Sequence, residues 1–344
     1  MSGDAPMTID LSRVAIIARK EFADHLTDRT FLLVLALFGI LTVLALERGL
    51  ASYVSAMEWY MTVLEITAHS VSSEASLLTS SPNLPSVLWI FLNVGDKLLL
   101  FGPVLAIAVG FDLISGERTT RSLRTLLSRP VYRDEVITGK AVGGTAVLVL
   151  ASAVPYLLAL GAVLVAGLTV TPYDAMIVAL CWGAGVLYLL AYFGVAVAFS
   201  AFSEDGGRAL AWAMAVFILF STVVPYAASY AAGSAAGSLP EWPLDDTLPD
   251  ETQRYLEERS DYYATYNWVK NSVMALSPNG NYETITGMLV DPHHGGDATT
   301  GSLTGTPDLA EALGQFWQNI VGLVAFPAIF LAVAYVRFMR LDLR

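Results

Sequence analysis

Six apolar stretches, each long enough to cross a bilayer as a helix, decide what this chain can become. The first, Thr30 to Leu46, covers roughly 26 Å at the helical rise. The others run from about Val87 to Phe111, Ala141 to Val170, Ala175 to Phe202, Ala209 to Ala232 and Phe316 to Tyr335. An open-ended segment inside lipid satisfies its backbone groups only as a helix, so the expected fold is an all-α integral membrane protein with six transmembrane helices. Charged residues make up 15% of the chain, against about 25% in a soluble domain, which excludes a single soluble core. An amphipathic stretch precedes the first run and no small-residue cleavage site ends it, so it reads as a retained span rather than a signal peptide.

Lysine and arginine in the short connections set the orientation. Arg13, Arg19, Lys20 and Arg29 precede span one, and Arg118, Arg121, Arg124, Arg129, Arg133 and Lys140 lie between spans two and three. Arg208, Arg337, Arg340 and Arg344 fall on the same side, whereas the short connections opposite offer only Arg48. Both termini are therefore expected in the cytoplasm, in a multi-pass plasma-membrane protein. The net charge of −12 then separates into a slightly basic inner face and an acidic outer one. Most of the outer surplus lies in residues 233–314, the long segment between spans five and six. There Leu248, Tyr255, Leu256, Tyr262, Tyr266, Val269, Val273 and Leu276 recur at helical spacing and predict an amphipathic helix on the membrane or the bundle. Residues 295–305, GGDATTGSLTG, read as a linker. The acids that remain among the inner connections suit a surface kept hydrated at high salt, hence a halophilic source. An acidic chain excludes a nucleic-acid partner, because phosphate binding needs clustered cations.

Two inner elements carry the functional information. In residues 1–29, Leu11, Val14, Ala15, Ala18, Phe22 and Leu26 recur three or four apart, with Asp10 or Ser12 as cap. This predicts an amphipathic helix along the membrane surface, either an anchor or a docking surface that includes Arg19 and Glu21. Residues 112–140, DLISGERTTRSLRTLLSRPVYRDEVITGK, predict a short helix with Leu123, Leu126 and Leu127 on one face and Arg118, Arg121, Arg124 and Arg129 on the other. Glu117 suits the helix start and Pro130 stops it. By residue pattern alone these arginines are either positive-inside residues or a docking surface.

The order of AIIARKEFADHLTDRTFLL before span one and ISGERTTRSLRTLLSRPVYRDEVITGK after span two resembles the permease subunit of ABC-2-type transporters, in the branch associated with multicopper-enzyme maturation. The resemblance implies that Glu117 to Ser128 is a coupling helix inserted into a separate ATPase subunit. Glu117, Leu123, Leu126 and Leu127 match the family's acidic and leucine positions, and Pro130, Arg133 and Lys140 its following proline, basic and lysine positions. Arg121 and Ser122 depart from the usual Gly-Thr. It further implies a pair of permeases with a pair of ATPases, export, alternating access, and ATP with Mg on the partner rather than on this chain. The residues agree with the last point: the only Gly-Lys pair, Gly139 with Lys140, has Asp134 where a phosphate loop needs its first glycine.

Within the spans, Asn93, Asp96 and Lys97 interrupt span two, and charges at that depth must pair, face a cavity or lie at an interface. They are candidates for a translocation path or for a structural contact. Gly139, Gly143, Gly183 and Gly185 permit close helix approach, inside the protomer or at a dimer seam. Pro103 and Pro155 predict kinks. No metal site is expected: His293, His294 and Asp297 sit in a glycine-rich segment, and Cys181, Met176 and Met214 form no ladder for a soft metal. Neither H-E-x-x-H nor G-x-S-x-G occurs, so the chain is not expected to be an enzyme. The alternative is an ion-coupled carrier or channel working without an ATPase, with Asp96 and Lys97 as coupling residues.

Overall fold

The computed structural model describes residues 10–70, 85–119, 132–242, 249–290 and 309–340, and every described element is helical. Helix α1 spans Leu11–Thr27 and α2 spans Arg29–Ser70. They are followed by α3 (Leu88–Gly110), the single turn α4 (Ser115–Thr119), α5 (Arg133–Val165) and α6 (Pro172–Phe202). Next come α7 (Gly206–Ala236), α8 (Pro249–Met274), α9 (Pro278–Val290) and α10 (Leu309–Met339). Six of them, α2, α3, α5, α6, α7 and α10, are long and apolar enough to cross a membrane.

Local chemistry sets the boundaries. Asp28 alone separates α1 from α2; it ends α1 in an extended conformation and its carboxylate accepts the Phe31 amide at 2.8 Å, capping α2. Gly167, at φ +73°, supplies the left-handed residue that closes α5. Thr171 and Asp174 cap α6 reciprocally, with Pro172 in its first turn. Five residues of α7, Leu219–Val223, form a π-helical turn just before Pro225, whose missing N–H breaks the α-helical ladder.

Helix α6 is the hub. Its residues 191–198 are all buried, and it packs on α3, α5, α7, α9 and α10. Small residues admit the neighbours: a Cβ at Gly102 would stand 2.7 Å from Leu189, and one at Gly144 2.6 Å from Phe193. Gly185 likewise admits Leu98, whereas Gly183 has nothing near it, so only one of that pair makes a contact within the protomer.

Three boundaries differ from the sequence reading. Helix α2 does not stop at Leu46 but runs to Ser70, about 63 Å at the helical rise, roughly twice the hydrocarbon thickness. Glu47 and Arg48 end the apolar run, yet nothing after them breaks a helix. Helix α5 starts at Arg133, so Arg133 and Lys140 lie on a helix continuous with the third apolar stretch. Among the described residues of 233–314 there are two helices: the expected α8, packed on α7, and α9, which is inserted among α3, α6 and α10.

Candidate functional site

Two joints tie the connection between spans two and three to the bundle. On its near side, Ser200 Oγ at the end of α6 accepts the amides of Ile114 and Ser115, both at 3.0 Å, and Ser115 Oγ lies 3.2 Å from it. Arg118 then donates to the Ser203 carbonyl at 3.0 Å, placing a cation at the negative end of the α6 dipole. On the far side, Tyr132 and Arg133 start α5. One Glu135 oxygen accepts the Tyr132 amide (3.1 Å) and the other the Asp10 amide (3.2 Å), while Arg13 stands 3.7 Å away. Arg133 reaches the Met339 carbonyl at the end of α10.

Helix α1 is seated in a groove that α5 provides. Gly139 and Gly143, one turn apart, leave room for Ile17 and Ala18: a Cβ on the first would lie 2.7 Å from Ile17, and one on the second 2.8 Å from the Ala18 carbonyl oxygen. Between them Lys140 Nζ meets Glu21 Oε1 at 2.7 Å, both side chains buried. The seated stripe is therefore Val14, Ile17, Ala18 and Glu21 rather than the purely apolar face read from the sequence. Leu11 and Ile16 are exposed, and so is Arg19. Of the two α1 residues read as docking groups, Arg19 faces outward and Glu21 is turned inward onto Lys140.

A titratable pair sits beside this joint. Burial lowers the pKa of His25, against the opposing pull of Glu21 and Asp112, and burial raises that of Asp112, which His25 partly offsets. The Nε2 atom of His25 is buried without a hydrogen-bond partner among the described residues. A histidine held neutral on folding binds fewer protons than its unfolded counterpart below about pH 6.5, so stability falls as pH drops through that value toward the lowered folded pKa. His25→Gln should flatten that acid loss in thermal unfolding curves between about pH 7.5 and 5.5; an unchanged slope would assign the loss to other groups.

Glu117 falls in α4, and Arg121, Leu123, Arg124, Leu126, Leu127 and Pro130 lie outside the described residues. So do His293, His294 and Asp297; among the described residues no three His, Cys, Asp or Glu side chains gather as metal ligands. Cys181 is buried, Met176 exposed, and Met214 packs on the core.

The polar residues of span two lie on the outside of the bundle. Trp89, Asn93, Asp96 and Leu100 form one stripe along α3, with Asp96 exposed, Asn93 and Lys97 half-buried, and the Asn93 amide donating to the Trp89 carbonyl. Among the described residues this stripe faces away from the buried interior around α6. The interior holds instead a polar cluster around α9 that the sequence reading missed. Tyr282 stacks on Tyr188, its hydroxyl facing Tyr156 and the Gly95 carbonyl, and Tyr192 donates to Asn279. Asn319 donates to Asn281, which itself donates to the Ala275 carbonyl. The start signal was present: Ser277 caps the Gly280 amide, and Pro278 occupies the first turn.

The family model of ABC-2 family transporter proteins matches residues 15–343. The probable ABC transporter permease protein NosY of Stutzerimonas stutzeri is 31% identical over 141 residues, 41% of this chain and 42% of that protein. The protein of the same name from Pseudomonas aeruginosa is 30% identical over 140 residues, again 41% and 42%. The chain thus spans less than half the length of either curated relative it matches.

Proposed function

Because the chain belongs to the ABC-2 transporter family and is a permease subunit of that type, we propose that it exports its cargo by alternating access, powered by a separate ATPase docked on residues 117–130. The double anchorage of that segment carries the reading. Its near flank is bonded to the end of α6 through Ser115 and Arg118, and its far flank to α1 and α10 through Glu135 and Arg133. A partner that displaces the segment therefore pulls on several spans at once instead of bending a loose loop. Leu123, Leu126 and Leu127 supply the apolar contact, with Glu117, Arg121, Arg124 and the outward Arg19 around it, and ATP binding favours one state through differential contact there. Both termini are then cytoplasmic.

The path lies between two permease chains, with Asn93, Asp96 and Lys97 on its wall. The exposed polar stripe of α3 supports this, since neither lipid nor the protomer's own interior suits it. Serine at Leu123, Leu126 and Leu127 together should abolish co-purification of the ATPase and ATP-dependent export while the permease still inserts. Retained assembly and export would refute the docking site, and export without any ATPase would establish the ion-coupled carrier.

A further inference from the structure

A groove at the basic end, beside both joints, runs between the ends of α6 and α10. Phe202, Ala332, Val333, Val336, Arg337 and Arg340 enclose about 480 Å³ there. Its wall is apolar and outward-facing, with Phe202, Val333 and Val336 exposed. Arg337 in the last turn of α10 and Arg340 just past its end place two cationic side chains at one end of the groove. Arg337 lies over the Phe202 ring, 5.2 Å from its centre, and its buried Nε has no hydrogen-bond partner among the described residues. The cations around it are engaged differently: Arg118 holds the Ser203 carbonyl, and Arg208 faces Glu204 and Asp205. Neither Arg337 nor Arg340 meets a carboxylate among the described residues.

We propose that this groove binds an acidic phospholipid, its headgroup phosphate between Arg337 and Arg340 and an acyl chain along Val333 and Val336. Charge complementarity selects the anion, since guanidinium groups grip phosphate oxygens through paired N–H donors. Position selects the lipid over a soluble phosphate. The groove opens on the apolar flank of a spanning helix at its basic end, where basic pockets between spans meet headgroups. It also adjoins Ser203, whose carbonyl holds Arg118, so an occupied groove stiffens the joint at the end of α6.

The test is native mass spectrometry of the full chain, released from bilayers containing phosphatidylglycerol and phosphatidylcholine in equal amounts. The wild type should retain phosphatidylglycerol preferentially. Arg337→Gln and Arg340→Gln should each reduce that preference about fivefold, and Arg208→Gln, a surface cation at the same end, should leave it intact. Ala332→Trp, which fills the groove and keeps both arginines, should also lose the lipid. Equal retention of both lipids, equal losses in the Arg208 variant, or full retention by the tryptophan variant would each overturn the proposal. Displacement of the lipid by inorganic phosphate would likewise overturn it, by making the site one for a soluble anion.

Discussion

Lys140→Ala should cost about 3–5 kcal/mol, because it strands the Glu21 carboxylate in the groove between α1 and α5 without its buried partner. Lys20 lies 3.7 Å from the same carboxylate but is largely exposed, so it recovers only part of that loss. The expected phenotype is detachment of α1, read as tryptic cleavage at Arg19 and Lys20 under conditions where the wild type resists, with a lowered thermal midpoint. The double variant Glu21→Leu, Lys140→Met removes both charges while keeping volume, and buried pairs replaced in this way are often neutral or stabilised. It should restore protease resistance. If the single variant is as stable as the wild type, or the double as damaged as the single, the ion pair is not what seats α1.

The contrast between those variants has functional content. If α1 serves only as an anchor, the double variant regains both fold and export. If the charged pair also transmits displacement from residues 117–130 through α5, fold returns and export does not. Both outcomes are read on the same preparations.

The long apolar helices and the amphipathic helix α1 were legible because apolar run length and helical period are local properties of sequence. What escaped depended on partners distant in sequence. Glu21 read as a surface carboxylate because nothing in residues 10–30 announces that Lys140, 119 positions away, waits in a glycine groove. That one pairing rotates α1 so that Ile17 packs on α5 and Ile16 faces outward. Helix α9 was hidden for a related reason. Asn279, Gly280 and Asn281 are turn formers taken alone, and only Tyr192, Asn319 and the close backbone of Met274 make them interior residues. Helix α2 outruns the apolar stretch Thr30 to Leu46 because charge ends an apolar run without ending a helix. For span two the polar residues were legible in the sequence, but which face they occupy follows from how α2, α5 and α6 surround α3.

On the proposed function, replacing Asp96 and Lys97 together by leucine should remove most ATP-dependent transport while leaving the ATPase bound. The sign of the stability change decides what that face meets. Asp96 lies eight residues into α3, about 12 Å from its N-terminal end, and is exposed on the bundle surface. Were that surface against lipid, each charge would cost about 2.5–3.5 kcal/mol at the helix centre, and the leucine variant would be clearly stabilised. On the wall of a hydrated path between two permeases, the charges are already solvated and removing them changes stability little. If the α3 stripe lies on the two-fold axis that relates two permeases, each stripe faces its own copy and Asp96→Cys should cross-link between chains. Wild-type export together with a raised thermal midpoint and no cross-link would place this stripe in lipid and remove Asn93, Asp96 and Lys97 from the path.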